Sequence, residues 1–150
     1  MVSPFRYDNG TQLACGPEVL FRLLREALWA PLAIAVVAFV LGRVPGLDVW
    51  WFMHLAGGAT VAFCYLRLIA LAGRRFGTMH AGVRYVLAFT LACSTALAWE
   101  LAEFALDETL GSDLQEGLMD TMSDLMLSVC GAAAYLAWQA LSESKAQAGR

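Results

Sequence analysis

The chain has 150 residues, of which 59% are hydrophobic and 15% are charged, and its mean hydropathy is +0.60. Soluble domains contain roughly 45–50% apolar and about 25% charged residues, so this composition is typical of a membrane protein. The formal net charge of −3 offers no basic surface, which argues against nucleic acid as a partner.

Four apolar stretches are long enough to cross a bilayer, and an amphipathic helix is predicted ahead of them over residues 17–26. Pro31 is expected to kink the first span. The predicted fold is all-α: a polytopic four-transmembrane-helix bundle forming a single integral membrane domain over residues 1–150, in contact with membrane lipid. The predicted spans cover about residues 27–44, 48–71, 84–106 and 117–140.

The second span contains four consecutive small residues, Ala-Gly-Gly-Ala at positions 56–59. Small residues let helix backbones approach closely in a membrane, where van der Waals packing drives helix association. This stretch therefore predicts a close contact between the second span and another helix.

Basic residues predict the orientation. With four spans, nine of the ten lie on one side, and only Arg43 lies on the other. Cytoplasmic loops carry the excess of Lys and Arg, so both termini are expected in the cytoplasm, with the protein in a bacterial inner (plasma) membrane. The nine are Arg6, Arg22, Arg25, Arg67, Arg74, Arg75, Arg84, Lys145 and Arg150.

Eight of the thirteen acidic residues lie between positions 100 and 124, with no Lys or Arg among them. A solvated acidic turn explains the four in or beside the loop after the third span: Asp107, Glu108, Asp113 and Glu116. The other four form two pairs at helical spacing, and each pair projects from one helix face. They are Glu100 and Glu103 on the third span and Asp120 and Asp124 on the fourth.

His54 and these four acids reach a similar depth, about 5–10 Å from the outer ends of their spans at the α-helical rise. Charges inside a membrane are costly, so the five side chains should face inward and share a site. A bound cation, protons shared between carboxylates, or a water-filled cleft would each satisfy them. We favour a divalent cation: oxygen ligands with one imidazole suit Mg, Mn or Fe, and Zn remains possible.

Three spaced motifs resemble the YjdF-like family of bacterial inner-membrane proteins. They are L-D-x-x-x-x-M-H-x-x-x-G over 47–58, W-E-L-A-E-F over 99–104, and D-x-Q-x-x-x-x-D-T-M-x-D-L over 113–125. The resemblance implies an inner-membrane location and no particular activity. It highlights the same five residues: His54, Glu100, Glu103, Asp120 and Asp124.

Three classes of function follow as hypotheses. The site could bind a metal in a membrane enzyme that acts on a lipid-like substrate, with Glu100 or Glu103 as general base. A carboxylate relay could move protons or cations, which in so small a chain requires a homo-oligomer. Alternatively, the acids could contact a partner in a larger membrane complex, of which this chain is a structural or assembly subunit.

Overall fold

A computed structural model describes residues 21, 24–44, 49–77 and 79–149, and all regular structure within them is helical. This confirms the predicted all-α fold class. The amphipathic helix predicted over 17–26 lies mostly outside the described residues. A π-helical turn, Leu24–Leu28, is followed by four α-helices: α1 (Trp29–Leu41), α2 (Trp50–Phe76), α3 (Ala81–Leu110) and α4 (Leu118–Ala148).

The first predicted span has an irregular start. Pro31 is the third residue of α1 and has no N–H to bond the carbonyl of Ala27, which lies in the π-helical turn. Wide turns of this kind are a recognised cause of helix bending. The disturbance expected from Pro31 is therefore found in the turn that precedes it.

Three helical segments are long and apolar enough to cross a membrane by themselves: Trp50–Gly73, Ala81–Leu110 and Leu118–Ala148. α1 has 13 residues, so it is about 20 Å long, less than the roughly 30 Å hydrocarbon core. Together with the five-residue π-helical turn, it reaches the lower limit for a span, about 17 residues. Within the described residues, the bundle thus has three full spans and a shorter first segment.

Contacts between the helices fix their relative directions. The Ser128 hydroxyl on α4 donates to the His54 carbonyl on α2 at 3.3 Å, and further along both helices the ring of Phe63 meets that of Tyr135. α2 and α4 therefore run parallel. α3 runs the opposite way, since Glu100 lies beside His54 whereas Thr95 bonds Tyr65 at 2.8 Å. The chain thus alternates in direction from α2 to α4, as successive membrane spans do.

Two glycines bring α2 and α4 into close contact. A Cβ atom added to Gly58 would overlap the backbone of Ser128, and one added to Gly131 would overlap the carbonyl of Leu55. Small residues thus allow the two backbones to touch. The close approach predicted for positions 56–59 is found at Gly58, and it fixes the position of α2 against α4.

An apolar core fills the half of the bundle beyond this contact, and many large apolar side chains cover the outside. The exposed ones include Phe39, Val86 and Trp138, which are each more than half exposed. In a membrane protein, such residues face lipid. The core comprises Ala62, Leu66, Ile69, Ala88, Ala92, Ala132 and Leu136.

The two ends of the bundle differ in charge. We call the end formed by the start of α2, the end of α3 and the start of α4 the acidic end, because it contains the acids from Glu100 to Asp124. The opposite end, the basic end, contains Arg67, Arg84 and Lys145. The candidate site lies at the acidic end.

Candidate metal centre

His54 lies between two carboxylates from two other helices. It belongs to the second turn of α2, which begins at Trp50. Its Nε2 atom lies 3.1 Å from Oδ2 of Asp124 on α4, and its Nδ1 atom lies 4.0 Å from Oε1 of Glu100 on α3. The first distance is that of a hydrogen bond, and the second is too long for one. One imidazole thus connects the three spanning helices.

The three side chains are largely removed from the surface. The exposed fractions of the side chains of His54, Glu100 and Asp124 are 12%, 5% and 13%. One ligand atom from each lies within 4.8 Å of those of the other two. A nitrogen and two carboxylate oxygens at this spacing can converge on one metal ion.

Glu100 also contacts the loop between α3 and α4. The side-chain amide of Gln115 donates to the Glu100 backbone carbonyl at 3.0 Å and lies 3.4 Å from Oε2 of the Glu100 carboxylate. This amide is a neutral partner, so it orients the carboxylate without neutralising it. Sequence reasoning did not assign Gln115 to the site, although it belongs to the third spaced motif.

Asp107 organises the loop that carries Gln115. Its carboxylate accepts hydrogen bonds from the Ser112 hydroxyl at 2.6 Å and from the backbone N–H groups of Leu114 and Gln115 at 2.9 Å. Gly111 ends α3 in the left-handed region, with φ of 64°, where a residue with a Cβ is disfavoured. The sequence predicts Asp107 in or beside an acidic turn, and the structure places it near the end of α3, beside that loop. Its hydrogen bonds also position the loop residue Gln115, which contacts Glu100.

Two of the five predicted ligands lie outside the three-residue cluster. Glu103 accepts a hydrogen bond from the Trp99 indole at 2.6 Å, and Asp120 accepts one from the backbone N–H of Glu116 at 3.3 Å. Both carboxylates remain within electrostatic reach of Glu100. The structure therefore brings His54, Glu100 and Asp124 together and leaves the other two beside them.

Ser128 contacts the backbone of a cluster residue on the side that faces the middle of the bundle. It lies one helical turn after Asp124 on α4, and its hydroxyl bonds the His54 carbonyl. Its backbone is also the one that Gly58 touches. The close helix contact thus sets the distance between His54 and Asp124. Ser128 was not among the predicted site residues, because its role depends on which helix faces Gly58.

Among the described residues of the three spanning helices, the basic side chains lie toward the basic end, away from these carboxylates. The sequence has no Lys or Arg between Arg43 and Arg67, or between Arg84 and Lys145. Arg43 lies in the described segment after α1, where its guanidinium stands 3.5 Å from the centroid of the Phe39 ring. Even a protonated His54 would supply one positive charge to two carboxylates. The arrangement can therefore accept an additional cation.

The model of a protein family described as "Predicted membrane protein (DUF2238)" matches residues 19–145. The chain belongs to this family. The match covers all four helices almost completely, including the three helices that form the site, and it confirms the resemblance to a bacterial membrane protein family that the spaced motifs indicate. It names no activity or ligand.

One curated relative of this DUF2238 protein is an "Uncharacterized protein" from Thermotoga maritima, which is 29% identical over 80 residues. The aligned region covers 53% of this chain and 41% of the relative, so the chain matches less than half of the relative's length. No solved structure matches the chain.

Proposed function

We propose that this protein is an integral membrane protein that binds one divalent cation through His54, Glu100 and Asp124. The observation that carries the proposal is their convergence: three largely buried ligand atoms, from three different helices, lie within 4.8 Å of one another. Side chains so far apart in the sequence meet only because the fold brings them together.

The balance of charge in the cluster favours a bound cation rather than a cluster that contains no ion. Burying a carboxylate carries a desolvation cost, and two carboxylates close together also repel each other. Glu103 and Asp120 add further negative charge within electrostatic reach of Glu100. A divalent ion neutralises the two ligating carboxylates, whereas protonated His54 neutralises one.

The ligand set favours Mg²⁺, Mn²⁺ or Fe²⁺, because two of the three donors are carboxylate oxygens, and Zn²⁺ also accepts such ligands. Three protein ligands leave coordination positions open, which is the pattern of catalytic rather than purely structural metal sites. The bound ion would activate water or polarise a phosphoryl or acyl group of a lipid-like substrate.

Glu103 is the better of the two predicted general bases. Glu100 is only 4% exposed and serves as a ligand in the proposed centre, so its oxygens are engaged. Glu103 is partly exposed at the edge of the cluster, and the Trp99 indole holds its carboxylate. In this assignment Glu100 binds the metal, and Glu103 takes a proton from the attacking group.

The packing supports binding or catalysis over transport by a single chain. Beyond Ser128, the close contact at Gly58 and Gly131 is followed by the apolar core. A relay of carboxylates through the bundle would require ionisable groups along that path. Among the described residues, the next acids in that direction are Glu26 and Glu143, both at the basic end and both paired with arginine.

The charge distribution supports a bacterial inner-membrane location with the termini in the cytoplasm, since basic residues gather at one end of the bundle. Replacing Asp113 or Gln147 with cysteine tests this with an impermeant maleimide applied to spheroplasts. We expect labelling of Asp113→Cys and protection of Gln147→Cys. The reverse pattern would contradict the orientation.

Metal analysis of the purified full-length protein tests the cation site. Wild type is expected to retain one divalent cation per chain after desalting. Glu100→Gln and Asp124→Asn should each weaken binding by tenfold or more, about 1.4 kcal/mol, while the exposed Glu108 on the same helix as Glu100 provides the matched control, Glu108→Gln. Wild-type protein without stoichiometric cation would end the proposal.

Two further measurements strengthen this test. Manganese at 100 times its dissociation constant should stabilise the wild-type fold by about 2.7 kcal/mol, with no such gain in Asp124→Asn. Protons compete for the histidine and carboxylate ligands, so the affinity for the cation should fall on acidification. Glu103→Gln and Asp120→Asn separate a three-ligand centre, which keeps its cation in both variants, from the five-ligand site predicted from the sequence.

A further inference from the structure

A cavity of about 210 Å³ lies next to the proposed metal centre, between α1, α2 and α3. His54 contributes to its wall, so the cavity and the metal centre share that side chain, and Ser128, whose hydroxyl bonds the His54 carbonyl, also lines it. The volume exceeds that of an apolar cavity of about 150 Å³ that admits benzene. It is smaller than the roughly 300–1,000 Å³ of sites for drug-sized ligands. It therefore has room for part of one chain-like molecule.

The length of the cavity matches the thickness of one leaflet of a membrane. Its α2 wall runs from Trp50, at the acidic end, to Val61, which is about 16 Å at the rise of an α-helix. Half of the hydrocarbon core of a bilayer is about 15 Å thick. A cavity that begins at the acidic end and has this length matches the hydrocarbon depth that an acyl chain of one leaflet covers.

Among the described residues that line the deeper part of the cavity, the hydroxyl groups are already engaged in hydrogen bonds. The Thr60 hydroxyl bonds the backbone carbonyls of Ala56 and Gly57, and the Thr95 hydroxyl bonds Tyr65 and the Leu91 carbonyl. Both threonines of the wall already have partners within their own helices. The rest of the deep wall is apolar and includes Val61, Ala92 and Ala96.

We propose that the cavity holds one acyl chain of a phosphate-bearing lipid, whose phosphate binds the cation at His54, Glu100 and Asp124. This inference rests on the proposed cation site and adds the class of ligand that the site takes. The carboxylates would repel a bare anion, so the phosphate requires the metal, which has coordination positions left open by three protein ligands. The apolar lower cavity then accommodates the chain.

Photo-crosslinking in nanodiscs tests the position of the chain. The full-length protein, loaded with manganese, is irradiated with phosphatidic acid that carries a diazirine in one acyl chain, and the labelled residues are mapped by mass spectrometry. Ala96→Phe fills the cavity from α3, and Ala35→Phe fills it from α1. Ala98→Phe is the matched control, because Ala98 is exposed on α3 and does not line the cavity.

Wild type and Ala98→Phe should be labelled on the cavity wall. Ala96→Phe and Ala35→Phe should lose about tenfold of that labelling, equivalent to ~1.4 kcal/mol of binding. Equal labelling in all four proteins would overturn the inference. The manganese content of each protein is measured as well. If wild-type protein contains no manganese, the proposed cation site has failed, and this result is distinguishable from a failure of the lipid inference alone.

The headgroup is tested by changing it. Diacylglycerol with the same diazirine chain, or phosphatidic acid in the presence of EDTA, should label the cavity about tenfold less than phosphatidic acid with manganese. Labelling that is independent of both phosphate and metal would overturn the headgroup assignment. Excess inorganic phosphate should leave most of the label in place, because the acyl chain gives phosphatidic acid a higher affinity than free phosphate has. Loss of the label to background would instead identify free phosphate as the ligand.

Discussion

Acidic side chains meet different partners at the two ends of the bundle. At the basic end, Glu26 lies 3.7 Å from Arg67 and Glu143 lies 3.5 Å from Arg84. At the acidic end, Glu100 approaches His54 and the neutral amide of Gln115. One end thus contains complete ion pairs, and the other contains an excess of negative charge.

The two arrangements also differ in burial. In the ion pairs of the basic end, Arg67 and Arg84 are 48% and 28% exposed, and their partners Glu26 and Glu143 are 15% and 35% exposed. Each pair is therefore only partly buried, and a single pair of this kind contributes little to stability. The Glu100 side chain is 5% exposed. A charge buried in a membrane protein is costly and is commonly found at a functional site. The contrast supports the proposed ligand site at the acidic end.

Adding a single methyl group at Gly58 should have the largest effect. Gly58→Ala forces α2 away from the Ser128 backbone, and we expect a loss of about 1–3 kcal/mol or more of stability. The same shift separates His54 from Asp124, so cation binding should fall as well. Thermal unfolding in detergent and metal content measure the two effects.

Gly57→Ala is the matched control for this prediction. It is the same substitution at the adjacent position, where an added Cβ meets nothing within 4 Å. It should leave both the melting temperature and the cation content close to wild type. If the two variants behaved alike, close packing of α2 against α4 would not be what holds the acidic end together.

A second prediction makes the acidic end resemble the basic end. Gln115→Arg places a guanidinium where an amide now approaches the Glu100 carboxylate. This built-in charge should compete with the metal, weakening cation binding about tenfold, or ~1.4 kcal/mol. The melting temperature should also become insensitive to EDTA. Isothermal titration and thermal unfolding measure these effects.

Gln115→Met separates the added charge from the lost hydrogen bond. It has a similar length and no amide, so it removes the contact with Glu100 and adds no positive charge. We expect a smaller loss of cation affinity than in Gln115→Arg. An arginine variant that bound manganese as tightly as wild type would show that unbalanced charge is not the basis of the site.

Hydropathy and helical spacing predicted the all-α membrane fold and the similar depth of the three clustered side chains. Because each residue adds a fixed rise, counting from the helix ends placed His54 level with Glu100 and Asp124. The structure brings these three together. The stretch at positions 56–59 predicted a close helix contact, although the partner helix was not predicted.

Local hydrogen bonds explain what the sequence did not predict. The depth of a residue along a helix does not predict which neighbour its side chain will bond. The Glu103 carboxylate accepts a hydrogen bond from the Trp99 indole on its own helix. The position of Gln115 depends on the turn at Gly111 and on the three bonds to Asp107. Loop geometry of this kind leaves no periodic signal in the sequence.

The smallest effect is expected at the basic end. Arg67→Gln removes the partner of Glu26 at 3.7 Å, and the loss of stability should stay within about 0.2–1 kcal/mol, because the pair is partly exposed. Glu26 keeps Arg25 at 3.5 Å, so no carboxylate is left without a cation. Cation content should not change, since Arg67 lies at the basic end, away from the proposed metal centre.

A double-mutant cycle with Glu26→Gln, followed by thermal unfolding, isolates the pair energy from the loss of each side chain alone. A coupling of several kcal/mol, or a variant that lost its bound cation, would contradict the comparison. It would mean that the ion pairs of the basic end also position the acidic end through α2. The separation between a structural end and a ligand-binding end depends on that coupling being small.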